Sequence, residues 1–133
     1  MSQLQQTATL STSGKMPMSM PVPHADSWQA ICPLDDIWPS TGVCALMHGR
    51  QIAIFRMHDD VLYAIDNHDP HSGANVLSRG IIGDLGGEPV VASPIYKHHY
   101  QLRTGACVED AGTQLHTYPV QLRDGMVWLN ITA

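Results

Sequence analysis

The chain has 133 residues, 44% of them hydrophobic, and a formal net charge of −5, enough for one domain with a buried core and too little for two. Its seven lysines and arginines stand singly along the sequence, so there is no basic stripe of the kind that binds nucleic acid or an anionic membrane. No apolar run approaches the ~20 residues that cross a bilayer as a helix, and the N-terminus lacks the apolar core of a secretory signal.

Residues 1–26 are built from Ser, Thr, Gln, Met and Pro. The prolines at 17, 21 and 23 each remove a backbone donor and push the preceding residue to extended geometry. With little patterned apolar surface to offset ordering entropy, this segment is expected to be a disordered tail, leaving residues 27–133 as the domain.

The domain reads as short strands. Runs at 28–32, 43–47, 51–55 and 61–65 are β-branched or aromatic, about five residues long, and bounded by turn residues, which is the strand signature. One helical turn is expected at 34–37. Further strands are expected at 89–92 and 99–102. The glycines at 80, 83, 86 and 87 read as turns, since no helix follows them to present its N-terminus to a phosphate. The last hairpin is the clearest: 118–122 and 126–131 alternate about Arg123-Asp124-Gly125, and Asp-Gly supplies the positive φ of a tight turn. Many short strands and no long helical stripe imply a small all-β sandwich or barrel. Trp28, Phe55, Ile65 and Trp128 are the expected core aromatics and aliphatics. Cys32, Cys44 and Cys107 lack the close spacing of a disulfide framework or a Cys-rich metal site, and read as small buried residues of a reduced, cytoplasmic protein.

From Trp28 to Ile131 the order of strands and turns resembles a Rieske-type domain, and in detail the small subunits of cytoplasmic NADH-dependent assimilatory nitrite reductases. The residues that carry the likeness include Thr41-Gly42-Val43-Cys44-Ala45-Leu46, Tyr63-Ala64-Ile65-Asp66-Asn67, Asp69-Pro70, Val76-Leu77-Ser78-Arg79-Gly80 and Val91-Ala92-Ser93-Pro94. The resemblance implies a β-sandwich with a small cluster-binding subdomain at its tip. It also implies a partner, a large subunit carrying sirohaem, a [4Fe–4S] cluster and FAD, which reduces nitrite to ammonium with NADH.

Rieske domains hold a [2Fe–2S] cluster with one Cys-x-His and one Cys-x-x-His pair. Here the first reads Asp69-x-His71 and the second Ser93-x-x-Tyr96, so only a histidine of the four ligands survives. A hydroxyl, a phenol and a hard carboxylate cannot replace thiolates at bridging-sulfide iron. No cluster is therefore expected in this chain, the subdomain is degenerate, and the four polar substitutes are expected to close on one another as a hydrogen-bonded plug. The resemblance further implies that the two loops form a protruding tip that meets partners, placing His68, His71, Lys97, His98 and Tyr100 on a docking surface.

Three other readings compete. His68, His71, His98 and His99 crowd the two loops beside Asp69, and two imidazoles with a carboxylate suit mononuclear zinc or iron; against this, loop histidines ordinarily face solvent. A Rieske-type ferredoxin electron carrier would need the missing ligands. An independent enzyme would need a nucleophile with an adjacent base, and no nucleophile elbow is present. The sequence-level expectation is an accessory subunit of an oxidoreductase, with no catalytic centre of its own.

Overall fold

The computed structural model describes residues 28–131; the expected tail, residues 1–26, lies outside them. Eleven strands follow in chain order among the described residues: β1 (Trp28–Pro33), β2 (Thr41–Met47), β3 (Arg50–Arg56), β4 (Leu62–Asp66), β5 (His68–Asp69), β6 (Ala74–Asn75), β7 (Ile81–Leu85), β8 (Glu88–Ala92), β9 (His99–Gln101), β10 (Val120–Arg123) and β11 (Met126–Asn130). Two 3-10 turns, Leu34–Asp36 and Leu77–Arg79, complete the inventory. The all-β expectation holds, and no described helix is long and apolar enough to cross a membrane.

The strands form four antiparallel sheets, ordered β1-β11-β10, β2-β3-β4, β5-β6 and β7-β8-β9. β3 explains how they share a core. Side chains alternate across a strand, and β3 buries four in a row, from Ile52 to Phe55. Ile52 and Ile54 pack into one cluster with Ile37, Val127 and Leu129. Ala53 and Phe55 face the opposite way, into a second cluster with Ile65, Leu77, Val91, Tyr100 and Leu102. The first core belongs to the sheet that closes the chain. The second lies beneath the two loops where the sequence places the degenerate cluster site.

Several expectations are corrected. The stretch read as glycine turns contains β7: Ile81–Leu85 pairs antiparallel with β8. Only Gly86 and Gly87, at φ +63° and +89°, make the turn, a left-handed pair suited to a two-residue hairpin. β7 is largely exposed, so it carries no buried alternation to betray it. Trp28 and Trp128 are half-buried rather than core. Both rings hold the Arg123 guanidinium, at 5.1 and 4.8 Å from their centroids, a cation–π arrangement that keeps them at the surface. Of the cysteines only Cys107 is buried; all three are free thiols, and Cys44 is exposed. Burial, then the nearby charge of Asp36, pushes the Cys32 thiol up to about 11.

Gly105 fixes the turn after β9. It has φ +82°, and a Cβ there would lie 2.2 Å from the Leu115 carbonyl oxygen, while the backbone N–H of Leu115 donates to the Gly105 carbonyl at 2.8 Å. Gly105→Ala is expected to cost about 2–4 kcal/mol. Gly49→Ala, at φ +78° with nothing within 4 Å of the new carbon, is expected to cost about 1 kcal/mol. Urea denaturation of the two variants beside the wild type reads the difference.

Candidate functional site

Two loops meet above the second core. The first is the β5–β6 hairpin with its turn at 70–73; the second, residues 93–98, joins β8 to β9. At their junction the Asp69 and Ser93 side chains are both fully buried. A buried carboxylate is tolerated only when donors surround it, and Asp69 has four. Its Oδ2 accepts from the Ser93 hydroxyl at 2.6 Å and the Ser72 hydroxyl at 2.9 Å. Its Oδ1 accepts from the Tyr100 hydroxyl at 2.8 Å and the backbone N–H of His71 at 3.0 Å. Burial pushes the Asp69 carboxyl up, but the bonds from Ser93, Tyr100, Ser72 and His71 together outweigh it and hold the group below the usual carboxylate range. Burial, and then the bond to and charge of Asp69, push the Tyr100 phenol far above its ordinary value.

The network continues outward. His71 Nδ1 lies 2.7 Å from the Tyr100 oxygen, and Nε2 lies 3.0 Å from Asp110 Oδ2. Asp110 also accepts from the Thr113 hydroxyl at 2.6 Å. That bond first, then the one from His71, lowers the Asp110 carboxyl to about 2. The His71 ring stacks on His98, centroids 3.8 Å apart and planes within 2°. His98 Nδ1 is buried with no hydrogen-bond partner among the described residues.

Asp69, Ser93 and His71 thus converge, but the fourth degenerate position does not. Tyr96 is 71% exposed. The Ser93 N–H donates to the His98 carbonyl at 2.9 Å, closing the loop in four residues. Tyr96 and Lys97 turn it with φ of +63° and +61°, which carries the Tyr96 ring out to solvent. The phenol inside the pocket comes from Tyr100 on β9. For the same reason Tyr100, fully buried, cannot be a docking residue as its place near the tip implied. Strand alternation holds the signal: in β9 only Tyr100 is buried, between half-buried His99 and Gln101.

The crowded histidines disperse. His68 Nδ1 pairs with Asn75 Oδ1 at 3.0 Å, and His99 pairs with Glu109 at 2.6 Å, while His98 lies against His71. Among the described residues no group of three or more His, Cys, Asp or Glu side chains is placed to hold a metal ion. Sequence reasoning missed Ser72, Asp110 and Asn67. Asn67 is buried and accepts from the Ser78 N–H at 2.7 Å while donating to Gln51 at 3.1 Å, stapling the chain after β6 to β3.

Asp69→Ala removes the acceptor for three hydroxyls and one N–H, and is expected to cost about 3–5 kcal/mol. Asp69 has a folded pKa below its unfolded value. Its stabilisation is therefore present above about pH 4 and lost as pH falls through the folded value. Acid titration of unfolding should show this limb in the wild type and a flatter one in Asp69→Asn.

A family model for the Rieske-like [2Fe-2S] domain matches residues 27–130. The chain is 50% identical over 103 residues to the nitrite reductase (NADH) small subunit of Salmonella typhimurium, covering 77% of this chain and 95% of that one. It is 49% identical over 102 residues to the nitrite reductase [NAD(P)H] large subunit of Klebsiella oxytoca, where the match spans 77% of this chain and 11% of the relative. The solution structure of the Escherichia coli protein NirD superposes with a TM-score of 0.75 at 45% identity, covering 80% of this chain and 97% of that one. The chain is a member of the Rieske-like [2Fe-2S] domain family, and within it of the small subunits of NADH nitrite reductase.

Proposed function

We propose that this chain is the accessory small subunit of a cytoplasmic, NADH-dependent nitrite reductase, and that it binds a large subunit which carries the sirohaem, [4Fe–4S] and FAD centres and reduces nitrite to ammonium. The observation that carries this reading is the Klebsiella oxytoca relative. There a segment 49% identical to this chain lies within a polypeptide named as the large subunit. Joining two modules covalently makes their association intramolecular, so a shared chain is good support for contact between the separate ones.

The chain's own redox inventory supports an accessory role. The residues present do not fit a [2Fe–2S] cluster. At the four family ligand positions stand a carboxylate with both oxygens already bonded, a hydroxyl donating to it, a histidine tied to Tyr100 and Asp110, and a solvent-facing phenol. None is the soft thiolate that iron–sulfur chemistry requires. We therefore assign this chain no electron-carrying centre, which also disfavours the ferredoxin alternative.

The tip remains the first candidate for the contact: His68, Tyr96 and Lys97 are exposed, His71 and His98 are half-buried against each other, and Tyr100 is buried. The chain purified from its native cell without an affinity tag is expected to bring down a large sirohaem- and flavin-containing polypeptide, and to be colourless once separated from it. Lys97→Glu with His98→Ala is expected to weaken that association about tenfold. A brown isolated chain with a reducible paramagnetic signal, or full-strength association of the double variant, counts against the respective part of this reading.

A further inference from the structure

A cleft of about 530 Å³ opens on the flank of the domain, between the β2–β3 turn, the β5–β6 hairpin and residues 116–118. That size lies in the range of ligand-holding clefts, ~300–1,000 Å³. Its floor is Tyr118, whose hydroxyl donates to Asp66 at 2.6 Å. Burial, then the bond to Asp66, pushes that phenol up to about 12, so it stays a donor. Around the floor stand Arg50, His68 and His116, and at the rim Leu46, 70% exposed.

Arg50 is the arginine of this cleft. Two other arginines are committed: Arg56 donates to Asp60 at 2.8 Å and to the Ile37 carbonyl at 2.8 Å, and Arg103 clasps both oxygens of Glu88. Arg50 makes one long bond, 3.5 Å to the Tyr118 hydroxyl, and no ion pair among the described residues. A guanidinium has five N–H donors arranged to grip a carboxylate with two at once. In a chain with net charge −5, a cleft that gathers an unspent guanidinium and two imidazoles above an exposed leucine has the make-up of an interface anchor site, where arginine and aromatic groups dominate. Asp66 is the opposing charge in the cleft, and its Oδ1 is taken by Tyr118.

We propose that this cleft receives an acidic side chain of the large subunit, its carboxylate gripped by Arg50 and its apolar neighbour resting on Leu46. The inference rests on the accessory-subunit reading and adds a second contact to it. His68 joins the two: it lines the cleft and sits on the hairpin that forms one side of the tip.

The test measures binding of the full chain to purified large subunit for the wild type, Arg50→Glu, Arg50→Lys and the Lys97→Glu tip variant, at about 50 and about 500 mM salt. Arg50→Glu is expected to weaken binding at least tenfold at low salt, Arg50→Lys to keep most of it, and the wild-type affinity to fall with salt. Because Arg50 is exposed and its side chain makes one long hydrogen bond, to the Tyr118 hydroxyl, the melting temperature of Arg50→Glu should match the wild type. If that variant melts early, Arg50→Gln replaces it in the same measurement. Wild-type affinity and salt dependence in a folded Arg50 variant overturn the cleft proposal, as does loss confined to Lys97→Glu. A wild-type chain that does not bind the large subunit at all overturns the accessory-subunit reading, and the cleft proposal with it.

Discussion

A carboxylate shut away from water has to be surrounded by donors, and Asp69 organises the upper half of this domain through that requirement. Its four bonds reach Ser72 and His71 on its own turn, Ser93 on the opposite loop and Tyr100 on β9. An isolated buried charge would cost several kcal/mol, so the two loops cannot separate without exposing it or stranding it. Ser93 is drawn inward, and its hydroxyl also accepts from the Ile95 N–H at 3.2 Å. The loop must then return to β9, which begins at His99, within five residues. Two successive non-glycine residues in the left-handed region are the consequence; such strain of roughly 1–3 kcal/mol per residue persists only where surrounding contacts over-determine it. The outward display of Tyr96 and Lys97 is thus set by a bond made on the other side of Ser93.

The lower half is tied to this network through β3. Because that strand buries both faces, displacing Ala53 or Phe55 in the core under the loops also displaces Ile52 and Ile54 in the core of the closing sheet. Asn67 adds a polar link, holding the Ser78 N–H and Gln51 together. Gly42 and Gly80 mark how closely the parts approach: a Cβ on Gly42 would meet the Phe55 ring at 2.7 Å, and one on Gly80 the Ala92 carbonyl at 2.5 Å. Packing at this density transmits small shifts rather than absorbing them.

How much of this was legible in the sequence follows from what each signal depends on. The terminal hairpin, β2 to β4 and the 3-10 turn after β1 could be read because alternation and turn residues are local properties. β7 could not: as an edge strand with most side chains in water, it has no apolar alternation, and its glycines dominate the local pattern. The approach of Asp69 to Ser93 was legible only through resemblance, since 24 residues separate them. Tyr96 and Tyr100 exchanged roles for a conformational reason. Nothing in Pro-Ile-Tyr-Lys announces two left-handed residues, whereas both tyrosines are compatible with a buried phenol. Composition misled at Trp28 and Trp128, where Arg123 offers a surface alternative to burial, and it could not show which loop histidines meet: His71 and His98 stack, while His68 and His99 pair with Asn75 and Glu109.

Within a family built to hold inorganic sulfide and iron, a carboxylate network changes what the tip's shape depends on. Thiolate ligation would tie the two loops to metal supply and oxidation state. Here they are tied to one proton equilibrium, and that equilibrium lies below the ordinary carboxylate range because four donors favour the ionised form. Asp69 is therefore fully charged across the whole neutral interval, and its bonds are saturated there. The ionised carboxylate accepts from the Ser93 hydroxyl, which ties the 93–98 loop to the β5–β6 turn. A surface held by protein hydrogen bonds takes its shape from the chain's own residues, which suits a subunit whose contribution is contact with a partner.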